Sequence, residues 1–150
     1  MRVMGLDVGD KTIGVAVSDE LGISANPVTV ISRTGSMKRE IGEVRRIAQE
    51  YGVERIIVGM PLMLDGTAGI QAQKVEAFVD ELRRRLRIAV VTWDERLTTS
   101  EVERVLIAAD QSRAKRKKVI DKLAAAVMLQ SYMDRQRSEA GPKGQVDDAE

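Results

Sequence analysis

Four acids, Asp7, Asp94, Glu95 and Asp121, stand where the surrounding pattern favours apolar residues. Asp7 ends the run Arg2-Val3-Met4-Gly5-Leu6. Asp94-Glu95 directly follows Ile88-Ala89-Val90-Val91-Thr92-Trp93. Asp121 lies next to the apolar stripe of an Ala/Leu/Val-rich helix. A carboxylate beside a core is costly unless it is paired, hydrogen-bonded or bound to metal. The 150 residues include no cysteine and no histidine. That excludes disulfides, thiolate nucleophiles, zinc–thiolate sites and catalysis built on imidazole. Carboxylates, lysines, hydroxyls and an oxygen-bound metal remain. Clustered hard oxygen ligands suit Mg2+ or Mn2+ and, without histidine, suit zinc poorly. Two such ions would activate a water and stabilise the leaving oxygen in phosphodiester hydrolysis.

Each acid also has a plainer reading. Asp7 can cap the following turn through backbone amides. Glu95 can pair with Arg96 or a helix lysine. Asp121, near Lys117, Lys118 and Lys122, can form a helix-face ion pair worth a few tenths of a kcal/mol. Taken together, the three positions favour a shared site. The basic stretch Arg113, Lys115, Arg116, Lys117, Lys118 opens a helix, where positive charge opposes the helix dipole, so a phosphate-facing role gains weight. Lys11, Arg96, Thr98 and Thr99 are further candidates for phosphate contacts, with helix capping the safer role for the two threonines. Gly5, Gly9, Gly14, Gly59, Gly66 and Gly69 would let a phosphate backbone approach the sheet edge, though turns explain Gly66 and Gly69 as well. Aromatic residues are only 3% of the chain, which argues against base stacking as the main mode of recognition.

The elements that must position these residues read in the order βββαβαβαα. Arg2–Asp7 and Thr12–Ser18 flank a tight Gly9-Asp10-Lys11 turn, a hairpin signal, and Val28–Ile31 supplies a third strand. Ile41, Val44, Ile47, Ala48 and Tyr51 recur at helical spacing over 37–51, with Gly52 as the stop. Arg55–Gly59 reads as a central strand, 61–69 as a loop, and 70–86 as a helix burying Val75, Phe78, Val79, Leu82 and Leu86. A fifth strand covers 88–93. A helix capped by Thr99 or Ser100 follows, with Val102, Val105, Leu106 and Ala109 inward. The last helix runs from Arg113 to about Arg135, with Val119, Leu123, Val127 and Met128 buried. The fold class is therefore α/β, a mixed five-stranded sheet with helices on both faces. Asp7 and Asp94-Glu95 are expected on adjacent central strands, at the strand ends where ligand crevices form.

At 43% apolar and 31% charged residues the chain reads as one soluble globular domain. A net charge of +1 leaves nucleic-acid binding to a local patch. No apolar run has the length of a membrane span. The opening MRVMGLDVGD leaves no room for a signal peptide, so a cytoplasmic location is expected.

The sequence resembles the YqgF (RuvX) family, small proteins with the ribonuclease H-like fold. The resemblance rests on four ordered segments, Gly5-Leu6-Asp7-Val8-Gly9-Asp10-Lys11-Thr12-Ile13-Gly14-Val15-Ala16, Ile57-Val58-Gly59-Met60-Pro61-Leu62 with Asp65-Gly66-Thr67, Asp94-Glu95-Arg96-Leu97-Thr98-Thr99, and Asp121-Lys122-Leu123-Ala124-Ala125-Ala126 through Leu129-Gln130-Ser131-Tyr132. It spans Met1 to about Asp134. It implies a ribonuclease H-like domain over 1–136, with 137–150 a disordered polar tail. Members are regarded as nucleases for the precursor of small-subunit (pre-16S) ribosomal RNA or as Holliday junction resolvases. The metal ligands proposed for the family fall on Asp7, Glu95 and Asp121. Met63-Leu64 departs from it, since a polar residue such as asparagine is expected there.

The expected function is thus a metal-dependent endonuclease for pre-16S ribosomal RNA. Asp7, Glu95 and Asp121 hold the metal, Asp94 is an outer or substitute ligand, and Lys11, Arg96 and Lys115, Arg116, Lys117 and Lys118 orient the backbone. Nucleic acid, as pre-rRNA or branched DNA, is the expected partner; a ribosomal precursor particle and a homodimer are further candidates. A resolvase acting on branched DNA and a non-catalytic nucleic-acid-binding module are the alternatives. Asp7-Val8-Gly9 with Lys11-Thr12 is also faintly similar to the first phosphate loop of actin- and sugar-kinase-type proteins, which close two lobes around a nucleotide.

Overall fold

The computed structural model describes residues 1–98 and 113–149, and the side chains of 1–98 and 120–139. Its elements are β1 (Arg2–Val8), β2 (Thr12–Ser18), β3 (Ala25–Ser32), α1 (Met37–Tyr51), β4 (Val53–Met60), α2 (Ile70–Arg85), β5 (Ala89–Asp94), a single 3-10 turn (Glu95–Leu97) and α3 (Arg113–Ala149). The helix expected from Thr99 or Ser100 lies outside the described residues.

The five strands form one sheet in the order β3-β2-β1-β4-β5. β1 is antiparallel to β2 and parallel to β4, and β4 is parallel to β5. The tight turn after β1 permits only an antiparallel neighbour, whereas the helical crossovers α1 and α2 return the chain for parallel pairing. Pro27 falls on β3, an edge strand, at the register shift between Val15 and Ala16, where a missing N–H is tolerated.

Alternation along β1 divides the core. Met4, Leu6 and Val8 join Ile13, Val15, Ile56, Val58 and the apolar stripes of α1 and α2. Val3 faces the other way, with Ala16, Ile57, Trp93 and the inner side of α3. Asp7 shares the parity of Val3, so its side chain belongs to the α3 face.

Ser36 caps α1, its hydroxyl accepting from the Arg39 amide. Gly52 ends the helix in the left-handed region, φ 66°, donating to Ala48 and Gln49. Three expectations are corrected. The buried side of α3 is Ala125, Ala126, Met128, Leu129, Tyr132 and Met133, while Leu123 and Val127 are only half-buried. Ala125 and Leu129 face inward where α3 packs against Gly5 and Gly14 of the sheet, and that close approach helps set its rotation. α3 also runs past Arg135, where Arg135–Glu139 adds an i,i+4 ion pair.

The third correction concerns the acids. β1 does pair with β4, but Asp94-Glu95 ends β5, so β4 lies between them and Asp7. The two acids are therefore not on neighbouring strands.

Candidate active site

Glu95 crosses that intervening strand. Leu6 pairs with Val58, which puts Gly59 level with Asp7, and Gly59 pairs with Trp93. A Cβ on Gly59 would overlap Oε1 of Glu95 and lie 3.0 Å from its Cδ and Cγ. The missing side chain opens the path by which Glu95 passes over β4 to meet Asp7.

There the two carboxyls share a hydrogen bond. Burial pushes the Glu95 carboxyl up to about 8, with the Asp7 charge, the Asp7 hydrogen bond and the Asp94 charge adding to the effect. Glu95 is therefore favoured in its neutral form beside Asp7.

Asp121 is brought to the same face by a second close approach. Asp7 pairs with Gly14 on β2, and a Cβ on Gly14 would overlap the carbonyl oxygen of Asp121 and stand 3.0 Å from its carbonyl carbon. At Gly5 a Cβ would lie 2.9 Å from Cβ of Leu129. These glycines seat α3. The expectation that Gly5, Gly14 and Gly59 leave room for a phosphate backbone is corrected, because α3 and Glu95 occupy that room. The Asp121 carboxylate accepts from the Thr12 hydroxyl at 2.9 Å. Among the described residues, no three acids stand close enough together to hold an ion. Asp7 and Glu95 are in contact, and Asp121 is turned toward Thr12.

Asp94 points elsewhere. It caps the 3-10 turn, accepting from the Arg96 amide at 3.0 Å, and pairs with the Arg96 guanidinium at 2.6 Å. The Arg96 side-chain hydrogen bond holds the Asp94 carboxyl below its usual range. Arg96 also donates to the Leu64 carbonyl at 3.2 Å, tying the loop 61–69 to the end of β5. Thr98 accepts from the Trp93 indole at 3.0 Å, and its amide donates to the Glu95 carbonyl, which fixes the turn bearing Glu95. Trp93 in turn meets Tyr132 of α3 edge-on, with ring centroids 5.8 Å apart.

Of the expected phosphate contacts, Lys11 is exposed in the β1–β2 turn and Arg96 is held by Asp94 and Leu64. Lys115, Arg116, Lys117 and Lys118 lie on the first turns of α3, with side chains outside the described residues. In the departing segment, Met63 and Leu64 are exposed, Leu64 at 95%. Sequence reasoning missed Thr12 as a partner of Asp121, along with Arg33 and Glu40. The signal for Glu40 was its position on the α1 stripe, four residues before Val44, where an apolar residue is expected.

A family model described as RuvX, Holliday junction resolvase, matches residues 1–135. The chain belongs to the RuvX family. A relative from Desulforamulus reducens is 54% identical over 134 residues, covering 89% of this chain and 97% of its own. One from Thermoanaerobacter pseudethanolicus is 55% identical over 139 residues, covering 92% and 99%. Both bear the name "Putative pre-16S rRNA nuclease". Among solved structures, RuvC from Thermus thermophilus in complex with Holliday junction substrate matches 91% of this chain and 96% of its own. The TM-score is 0.51 and the identity 13%. A second structure of Thermus thermophilus RuvC matches with a TM-score of 0.52 at 14% identity. At that identity the likeness concerns the fold, which is ribonuclease H-like in this RuvX-family chain too. Among the described residues, no helix is long and apolar enough to cross a membrane.

Proposed function

We propose that this chain is a metal-dependent endonuclease that processes the 5′ end of the pre-16S ribosomal RNA precursor, with Asp7, Glu95 and Asp121 as its acids. The observation that carries this reading is the contact between Asp7 and Glu95 across the glycine gap in β4. Their donor chemistry fits a hard divalent ion, Mg2+ or Mn2+, which competes with the proton they share. Such an ion, when bound, supplies Lewis acidity at the scissile phosphate and charge for the leaving oxygen.

The chain's own residues prepare the site. Thr12 orients the Asp121 carboxylate, and the turn fixed by Asp94 and Thr98 aims Glu95. Exposed Lys11 meets the substrate backbone beside Asp7. The basic stretch Lys115, Arg116, Lys117 and Lys118 extends that contact along the start of α3. Arg96 serves chiefly to hold the rim loop. In this reading the substrate is met in a ribosomal precursor particle in the cytoplasm. The relatives' shared name supports RNA, and the family description keeps branched DNA as the second reading.

The test is cleavage of labelled pre-16S RNA and a four-way DNA junction with Mn2+ or Mg2+, comparing wild type with Asp7→Asn. Cutting of the RNA alone, lost in the variant, is the expected result. Cutting of the junction alone selects the second reading. Binding of either without cutting, unchanged in the variant, would make the chain a non-catalytic module.

A further inference from the structure

The turn 9–11 joins the strand carrying Asp7 to the strand whose Thr12 holds Asp121. The placement of both acids therefore depends on that turn. It closes on itself through the Gly9 amide, which donates to the Thr12 carbonyl at 2.8 Å. One residue beyond the end of β3 grips it twice. The Arg33 amide donates to the Lys11 carbonyl at 2.8 Å, and the Arg33 guanidinium donates to the Gly9 carbonyl at 2.7 Å.

That guanidinium is itself anchored. Its Nε is 3.0 Å from Oε1 of Glu40, and its Cζ lies 5.2 Å from the centroid of the Phe78 ring. Glu40, on the first turn of α1, is 1% exposed, and its other oxygen accepts from the Thr34 amide at 2.8 Å. The Nε–Oε1 contact is ionic, since neither atom finds a well-aligned hydrogen bond. A buried pair of this kind is poor stabilisation; apolar residues of similar volume are often as good or better. The pair does one thing apolar residues would not, which is to hold a charged donor rigidly on the Gly9 carbonyl.

We propose that Arg33, anchored by Glu40, is a positioning residue that fixes the 9–11 turn and so sets Asp7 and Asp121 in register for the reaction. This rests on reading Asp7, Glu95 and Asp121 as the reacting site. Neither Arg33 nor Glu40 belongs to the α3 face: the pair acts from the opposite side of the sheet, through the backbone.

The decisive variant is the double change Arg33→Met with Glu40→Leu, which removes both charges and keeps the volume. It is compared with Arg33→Lys, which keeps the charge but loses the planar fork. Three readouts are needed: thermal stability, amide exchange at Gly9, and Mn2+ affinity by calorimetry alongside kcat and KM on pre-16S RNA. The double variant is expected to melt no lower than wild type, while Gly9 exchanges about tenfold faster or more. Mn2+ affinity and kcat are expected to fall about 10- to 100-fold, with KM little changed. Arg33→Lys should recover only part of the loss. If the double variant folds and Gly9 exchange is unchanged, the clamp does not exist. If the turn loosens while Mn2+ affinity and kcat hold, the clamp exists but positions nothing, and the proposal fails. A wild type that neither binds Mn2+ nor cuts overturns the reading of the acids, and the positioning role with it. Gly9 exchange separates that failure from failure of the clamp.

Discussion

The backbone of Asp121 rests directly on Gly14, so closely that a Cβ on Gly14 would overlap the Asp121 carbonyl oxygen. Gly59 meets Glu95 in a comparable way, but there the overlapping atoms belong to a side chain. The two glycines therefore predict different defects. Gly14→Ala must push back the backbone of α3 and should cost about 1–3 kcal/mol or more, as overpacking does. Gly59→Ala need only displace the Glu95 side chain, so it should cost less stability than Gly14→Ala while cleavage collapses. Denaturant melts and cleavage assays on both variants check this. A Gly59→Ala protein that cuts normally would show that Glu95 need not cross β4 to act.

The Asp7–Glu95 contact predicts a pH dependence with a definite sign. Burial first, and Asp7 second, raise the Glu95 carboxyl from 4.5 to about 8 in the metal-free protein. The native state then binds a proton that the unfolded chain releases at lower pH, so its contribution to stability is complete below 4.5 and is lost as pH rises through about 8. Thermal melts in EDTA should fall across that window. Adding Mn2+ should stabilise more strongly as pH rises, because the ion displaces the shared proton. Asp7→Asn removes the Asp7 charge but leaves burial, so the Glu95 carboxyl should drop without returning to 4.5. Carboxyl NMR titration reads it directly.

Much of the frame was legible from periodicity: five strands, α1, α2 and the parallel return after each crossover follow from where apolar residues recur. Asp7 and Glu95 were legible as acids at strand ends. Their meeting was expected, but on neighbouring strands; that Glu95 reaches Asp7 across β4 was not legible, because it depends on strand order and on the one residue of β4 that lacks a side chain. Nor was the rotation of α3, since hydrophobicity favours Leu123 and Val127 while close packing on Gly5 and Gly14 selects Ala125 and Leu129. The Arg33–Glu40 pair escaped for a related reason: a charge on an apolar stripe gains meaning only when its partner from another element is known.

Asp94 and Glu95 are neighbours in sequence with separate partners. Asp94 belongs to Arg96, and through it to the loop at Leu64. Asp94→Asn should weaken that anchor and raise the mobility of 61–69, with a cleavage loss of about tenfold or less. Glu95→Gln keeps the shape but removes an acid from the pair and should abolish detectable cleavage. Equal losses in the two variants would mean that Asp94 also reaches the reacting centre.

Thr12 offers the sharpest test of how Asp121 is used. Its hydroxyl is 2.9 Å from the Asp121 carboxylate, and Thr12→Val removes that hydrogen bond with little change in volume. The stability cost should be about 1 kcal/mol, the net worth of one such bond. If Thr12 holds Asp121 in a working orientation, Mn2+ affinity and kcat should fall about 10-fold or more. The opposite result is informative too. Among the described residues, Asp121 does not yet complete a three-acid group with Asp7 and Glu95. A rise in Mn2+ affinity in Thr12→Val would therefore make Thr12 a restraint that keeps Asp121 turned away until the site is loaded. Calorimetric titration of the two proteins with Mn2+, at a pH below the Glu95 titration and again above it, separates the two roles from proton competition.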